Sequence, residues 1–349
     1  MPGLSMGGQR HKVRVLPQRD DLVRAVEHAL LPASLFEILR GEEERPDVAI
    51  VDLDLDEHEA RASLRTLPTD PSVPLLVLGD VRKLGPEPIL AVLAEGGIEY
   101  LDTSHLDDPL QFDALAREMS ERLLTCSGAR VTRRPPTKAR RNESAVVPEP
   151  RRIVAIGVST GGPSALQKVI PQLPADLRAP VLIVQHLASP FTGSLADSLG
   201  ASSALPVREA KDGDRLEAGV VLVTPGASHL EIDSRGRVRL RPAGSDSRYV
   251  PSIDLTFLSL ARNVGADAVA VLLTGMGKDG VLGMRQVRIS GGHTIAQDEA
   301  TSVVFGMPKA AIEMGLVDRV VPIEEVAREI VRGLGRGARG EGREVRGER

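Results

Sequence analysis

Aromatic side chains are scarce in this chain of 349 residues, which has no Trp, two Tyr and five Phe. The cores must therefore be built from Val, Leu, Ile and Ala, which suits parallel α/β sheets. The single cysteine, Cys126, cannot form an internal disulfide, which fits a reducing cytoplasm. No apolar run approaches the roughly 20 residues that cross a bilayer, and Met1–Arg10 lacks the apolar stretch of a signal peptide. We therefore expect a cytoplasmic protein without membrane insertion.

The bulk composition is that of a folded globular protein, with 42% hydrophobic and 26% charged residues. A net charge of −4 argues neither for nor against nucleic-acid binding. We expect no nucleic-acid partner. The length leaves room for two domains of ordinary size.

Two segments, residues 12–125 and 151–334, each alternate strand-like and helix-like patterns, which predicts two α/β domains with doubly wound parallel sheets. The predicted strands are Val13–Leu16, Val48–Leu53, Leu75–Leu78 and Ile98–Leu101 in the first segment, and Ile153–Val158, Val181–Gln185, Val220–Val223, Ala268–Leu273 and His293–Ala296 in the second. The predicted helices are Asp21–Leu31, Pro86–Glu95, Leu110–Leu124, Ser164–Ile170, Pro190–Leu199, Leu255–Asn263, Val281–Ile289 and Pro308–Glu313. His229–Leu240 alternates on both sides of Asp233-Ser234-Arg235-Gly236, which predicts an inserted β-hairpin.

Residues 126–150 between the two segments are rich in proline and basic side chains, which predicts a flexible linker. A solvated tether is the plain interpretation, and an arm that binds an acidic partner is the alternative. Residues 335–349 consist largely of Gly, Arg and Glu with little to bury, so we expect a disordered tail.

The apolar run Ile153–Val158 ends on Gly157-Val158-Ser159-Thr160-Gly161-Gly162-Pro163. This is a strand, a sharp turn that carries a serine, and a helix that opens at the proline. The Gly-x-Ser-x-Gly spacing is that of a nucleophile elbow. The alternative is an ordinary helix N-cap, in which a hydroxyl accepts an N–H from the first turn.

A serine nucleophile needs a base and a group that orients the base. In a parallel sheet such groups gather at the carboxyl ends of the strands. Ser159 follows the first strand of the second segment, His186 follows Val181–Gln185, and Asp279 follows Ala268–Leu273. His229 falls in the hairpin, and His293 begins a strand at the opposite edge. Each residue alone has an ordinary loop or cap interpretation, but together they predict a triad. Its chain order of Ser, His, Asp differs from that of the α/β-hydrolases.

Residues 151–334 resemble the catalytic domain of the chemotaxis protein-glutamate methylesterases, the CheB family. The resemblance rests on Ile156–Gly162 around the serine, Gln185-His186, and Leu273–Gly280 around the aspartate. Pro251-Ser252-Ile253-Asp254 and the stretch from Ala296 to Pro308 match as well.

The resemblance implies hydrolysis of glutamate γ-methyl esters on methyl-accepting chemoreceptors, with Ser159, His186 and Asp279 as the catalytic triad. It also implies deamidation of selected receptor glutamines. Thr160 and Met276 would line the oxyanion site, and neither a metal nor a cofactor is implied. A chemotaxis histidine kinase would be a further partner.

In the same family the N-terminal half is a response-regulator receiver, and Asp52 matches its phosphoacceptor. The surroundings match poorly: Arg19-Asp20-Asp21 fits the metal-binding acids only with an inserted residue. Gly79-Asp80 replaces a hydroxyl residue, and Thr103-Ser104-His105 replaces a lysine. We therefore expect a degenerate receiver in which Asp52 is phosphorylated weakly or not at all. The alternative is that Asp52, Asp54 and Asp56 are simply a solvated acidic loop.

Two other functions compete with the esterase. One is a non-catalytic regulatory scaffold of a chemosensory system, against which the intact triad argues. The other is a nucleotide-binding domain with Gly157–Gly162 as the phosphate loop. The stretch lacks both Gly-x-Gly-x-x-Gly and a closing Gly-Lys-Ser/Thr, which argues against nucleotide binding.

Overall fold

A computed structural model describes residues 10–16, 23, 26–27, 30, 35–40, 44–53, 72–94, 96–104, 112–129, 152–244 and 247–335. We call residues 10–129 the first unit and residues 152–335 the second unit. Most of the predicted Asp21–Leu31 helix, the acids Asp20 and Asp21, the linker from 130 onward and the tail from 336 lie outside the described residues. Within the described part of the chain, no helix combines the length and apolar character needed to span a membrane.

The first unit contains a five-stranded parallel sheet with the strand order β2-β1-β3-β4-β5. Its strands are β1 (His11–Leu16), β2 (Phe36–Ile38), β3 (Val48–Asp52), β4 (Leu75–Gly79) and β5 (Gly97–Asp102), and its named helices are α1 (Val81–Leu84), α2 (Pro86–Ala94) and α3 (Phe112–Ser127). Alternate residues of β3 face opposite sides: Ala49 and Val51 pack towards α2, and Val48 and Ile50 pack on the side of α3. Helix α3 runs through Ser127, so it includes the first two residues of the predicted linker.

The second unit contains a seven-stranded parallel sheet with the order β14-β13-β12-β6-β7-β9-β8. Its strands are β6 (Ile153–Val158), β7 (Val181–Gln185), β8 (Val207–Glu209), β9 (Val221–Val223), β12 (Ala268–Leu272), β13 (His293–Gln297) and β14 (Arg319–Val321). Its helices are α4 (Gly162–Val169), α5 (Ser189–Ser202), α6 (Ile253–Asn263), α7 (Val281–Ile289), α8 (Met307–Glu313) and α9 (Ile323–Gly335). The antiparallel hairpin of β10 (Ser228–Ile232) and β11 (Val238–Pro242) confirms the predicted insertion.

Helices cover both faces of this second sheet, and the central strand β6 is therefore buried on both sides. Val154, Ile156 and Val158 belong to one apolar cluster with α4, α5 and α9, and Ile153 and Ala155 belong to another with α6, α7 and α8. The predicted fold class, two parallel α/β sheets with an inserted hairpin, is confirmed. The first cluster also includes residues of α2, so the two units share part of their core.

Candidate active site

Three polar side chains lie at the carboxyl ends of three neighbouring strands of the second sheet. Strand β6 lies between β7 and β12, with Val158 opposite Gln185 and Gly157 opposite Leu272. Ser159 therefore emerges beside His186 on one side and beside the loop of residues 273–280 on the other. The Ser159 N–H donates to the Thr274 carbonyl at 3.0 Å, and the His186 N–H donates to the Val158 carbonyl at 3.2 Å.

The turn after Ser159 depends on a left-handed residue. Gly161 has φ of 74°, a conformation that costs an L-residue free energy because of its Cβ. A Cβ at this position would also lie 2.6 Å from the Val303 side chain. The glycine lets the chain turn from β6 into α4 within three residues, which places the serine at the tip of the turn as the Gly-x-Ser-x-Gly pattern predicts.

The three polar side chains form a continuous hydrogen-bonded relay. His186 Nδ1 lies 3.0 Å from Ser159 Oγ, and His186 Nε2 lies 2.8 Å from Asp279 Oδ2. A carboxylate only accepts, so Nε2 carries the ring proton and Nδ1 accepts from the serine hydroxyl. The imidazole thus uses its two nitrogens in the opposite sense to the serine proteases, in which Nε2 faces the nucleophile.

Asp279 is 3% exposed and is held by several donors besides the imidazole. The backbone N–H groups of Ile253 and Asp254 donate to its two oxygens at 2.7 and 3.0 Å, and the Ser252 hydroxyl lies 3.3 Å away. These groups open helix α6, whose N-terminus favours a negative charge. Burial by itself would raise the pKa of Asp279, but the hydrogen bonds from His186 and the two amides outweigh it and lower this pKa. Asp279 is therefore held as a carboxylate, and it fixes the position of the His186 imidazole through their hydrogen bond.

His229 is linked to this carboxylate through Ser252. It was not predicted as part of the triad, because it falls in the hairpin. It lies in β10, where its Nδ1 accepts the Ser252 N–H at 3.0 Å and its Nε2 lies 3.2 Å from the Ser247 hydroxyl. It thereby orients the residue that caps α6 and contacts Asp279. His293 begins β13 at the opposite edge of the sheet, as predicted, and lies beside Asp318 and Glu329.

Of the two residues predicted for the oxyanion site, Thr160 is adjacent to Ser159 in the chain and Met276 lies in the loop that passes beside it. Thr160 follows Ser159, and its hydroxyl donates to Glu99 of the first unit. Met276 is 57% exposed, and its sulfur lies 3.2 Å from the Thr125 hydroxyl. A Cβ at Gly275 would lie 2.7 Å from Ser159 Cβ, so the backbone of the Met276 loop passes directly against the serine.

The first unit lies over the end of the second sheet that carries Ser159 and His186. The Gly161 N–H donates to the Ile98 carbonyl at 3.2 Å, and the Tyr100 and Phe191 rings lie 5.0 Å apart. A cavity of about 520 Å³ remains between the two units, and its walls include Ser159 and His186. Residues of both units line this cavity, so the first unit lies over the approach to Ser159.

Asp52 ends β3 as predicted and is 6% exposed. Beside it Asp80 caps α1 and accepts from Arg82 at 3.0 Å. The Arg82 hydrogen bond lowers the pKa of Asp80 to about 2. Thr103, at the position of the expected lysine, is buried and donates its N–H to the Gly79 carbonyl. An acid paired with an arginine thus stands where a receiver has a hydroxyl.

The fold and the relay together define a serine hydrolase of parallel α/β architecture. Among the described residues, no group of three His, Cys, Asp or Glu side chains is placed to hold a metal ion.

Comparison with known proteins identifies the family. The family model for CheB methylesterase matches residues 154–330. The protein-glutamate methylesterase/protein-glutamine glutaminase of Symbiobacterium thermophilum is 36% identical over 309 residues, which cover 84% of this chain and 85% of the relative. A similarly named protein of Nitratidesulfovibrio vulgaris is 32% identical over 93% of this chain and 96% of its own. The crystal structure of the Thermotoga maritima CheB methylesterase catalytic domain is 41% identical with a TM-score of 0.50, covering 52% of this chain and 97% of that domain. The chain belongs to the CheB methylesterase family.

Proposed function

We propose that this chain hydrolyses γ-methyl esters of glutamyl side chains on methyl-accepting chemoreceptors, and deamidates selected receptor glutamines, through Ser159, His186 and Asp279. The observation that carries the proposal is the relay itself, with distances of 3.0 and 2.8 Å on the two sides of one imidazole. Membership of the CheB methylesterase family supplies the substrate class.

In this proposal each group of the relay carries out one step. Ser159 Oγ attacks the side-chain carbonyl carbon while His186 Nδ1 takes the hydroxyl proton, and the imidazolium is stabilised by Asp279. The tetrahedral intermediate collapses as the C–O bond to the methoxy group breaks, and the imidazolium proton goes to the departing methanol. Water then attacks the acyl-serine ester with the same base, which releases glutamate and restores the serine. With a glutamine substrate, ammonia leaves in place of methanol.

The backbone N–H groups of Thr160 and Met276 would bind the oxyanion. Thr160 directly follows the nucleophile, and the Met276 loop lies against the serine. Donors of this kind contribute about 3 kcal/mol each to the transition state.

The first unit would act as a regulatory domain, because Glu99, Ile98 and Tyr100 contact the catalytic edge. Its altered surroundings at Asp52 argue against control by strong phosphorylation, so regulation would come from a protein partner or be absent. A chemotaxis histidine kinase stays a further partner that the family membership suggests. Such a protein would work in the cytoplasm, on the signalling helices of the receptors.

The test is methanol release from a methylated receptor fragment by the full chain and by its Ser159→Ala variant. Release that Ser159→Ala abolishes supports the proposal. Unchanged release by the variant, or none from the wild type, would refute the triad assignment, and a folded but silent wild type would favour the non-catalytic scaffold.

A further inference from the structure

An aromatic ring outside the triad lies on the face of the base. The rings of Tyr249 and His186 are stacked, with centroids 5.1 Å apart and planes 12° from parallel. The hydrogen bonds to Ser159 and Asp279 lie at the two ring nitrogens, at the edge of the imidazole. Rotation of the ring about its Cβ–Cγ bond would carry both nitrogens out of these hydrogen bonds, and a flat partner on one face blocks rotation towards that side.

The loop that carries Asp279 leaves room for this ring. Gly277 has φ of 89°, and a Cβ there would lie 2.8 Å from the Tyr249 hydroxyl oxygen. The tyrosine therefore fits between the imidazole and the backbone of the 273–280 loop. Any side chain at position 277 would require the Tyr249 hydroxyl to move.

The same short segment contacts both the base and its acid. Tyr249 stacks on His186, and three residues further on Ser252 and the N–H of Ile253 contact the Asp279 carboxylate. His229 binds the Ser252 N–H from the hairpin side. The segment of residues 249–254 thus holds the imidazole and the carboxylate in a fixed relation.

We propose that Tyr249 is a positioning residue, which holds the His186 ring in its catalytic plane and stabilises the imidazolium formed when Ser159 attacks. The face of an aromatic ring attracts a cation, so the contact strengthens when the imidazole takes up its proton. Because that gain exists in the transition state and not in the resting enzyme, it acts on kcat and not on KM. This inference rests on the proposed function for its kinetic part.

The kinetic test compares Tyr249→Leu, which keeps an apolar side chain but removes the ring, with Tyr249→Phe, which keeps the ring, both in the full chain. We expect kcat for methanol release to fall about fivefold in Tyr249→Leu with KM within about twofold, and to stay within about twofold in Tyr249→Phe. An unchanged kcat in Tyr249→Leu would overturn the proposal. An equal loss in both variants would overturn it too, since the hydroxyl and not the ring would then be responsible.

A spectroscopic test does not depend on activity or on the leucine variant folding. The carbon-bound ring protons of His186, assigned in the full chain by comparison with His186→Gln, should resonate upfield of an unstacked histidine in the wild type and in Tyr249→Phe. In folded Tyr249→Leu they should move downfield. A wild-type spectrum without the upfield shift would overturn the stack. Failure of the proposed function would instead appear as a wild type that shows the shift but releases no methanol.

Discussion

The hydrogen bond between Glu99 and Thr160 joins the first unit to the residue next to the nucleophile, and replacing Glu99 by alanine is expected to activate the enzyme. Glu99 lies on β5 and also pairs with Arg122 of α3 at 2.5 Å. Its carboxylate is 17% exposed and Thr160 is 6% exposed, so the contact is largely shielded from water. Removing the carboxylate loosens the first unit without altering any group of the relay.

The size of the effect follows from the chemistry of the bond. A hydrogen bond to a charged group contributes about 1.5–3 kcal/mol to stability. In the covered state the first unit lies over Ser159, and in the open state it has moved away. If about 1.5 kcal/mol is lost from the covered state alone, the ratio of open to covered molecules rises by about tenfold. The turnover of a protein substrate, which needs the open state, should rise by the same factor until most molecules are open.

The assay is methanol release from a methylated receptor fragment at concentrations well below KM. Glu118→Ala is the matched control, because Glu118 also pairs with Arg122, at 2.6 Å, but from the same helix. We expect activation of about tenfold in Glu99→Ala and little change in Glu118→Ala. Equal rates for Glu99→Ala and the wild type would refute the role given to this contact.

Four further outcomes are expected. Asp279→Asn should lower kcat by about a thousandfold or more, because an amide can donate to Nε2 and so favour the wrong tautomer; methanol release measures it. Asp80→Asn should lower the free energy of unfolding above about pH 4, and the difference from the wild type should vanish as the pH falls through about 2. The reason is that the pKa of Asp80 is depressed from 3.8 to about 2, and urea unfolding at several pH values checks this. Gly161→Ala should lower the free energy of unfolding by at least about 1 kcal/mol at its positive φ, again by urea unfolding. A small phosphodonor should leave the methanol-release rate of the full chain unchanged, and strong activation that Asp52→Asn abolishes would contradict the degenerate receiver.

Much of the relay could be predicted from sequence because Ser159 and His186 directly follow buried aliphatic runs, and Asp279 lies in the glycine-rich loop that follows a third. The three runs are the strands β6, β7 and β12, and parallel strands end at a common edge. Three of the four strands at the sheet edges were not predicted, because they are too short. Phe36–Ile38, Val207–Glu209 and Arg319–Val321 have three residues each, too few for an alternation to stand out.

The contacts that surround the relay could not be predicted in this way, because no sequence pattern marks the residues that make them. Tyr249 precedes α6 in a segment without regular periodicity, so its stacking on His186 depends on the path of that loop. Glu99 lies on a strand that was predicted, but its contact with Thr160 requires the docking of two units, about which strand and helix patterns say nothing. His229 was placed in the hairpin correctly. Its hydrogen bond to Ser252 could not be predicted, because the two residues are 23 positions apart in the chain.

The most direct test of the account is the site at which an activated serine reagent becomes attached. After reaction of the full chain with a small fluorophosphonate, which fits the cavity beside Ser159, intact mass and peptide mapping should show one adduct, on the peptide that contains Ser159. Labelling should be lost in Ser159→Ala and strongly slowed in His186→Gln. An adduct on another residue, or labelling at the wild-type rate without His186, would contradict the claim that this imidazole activates this serine.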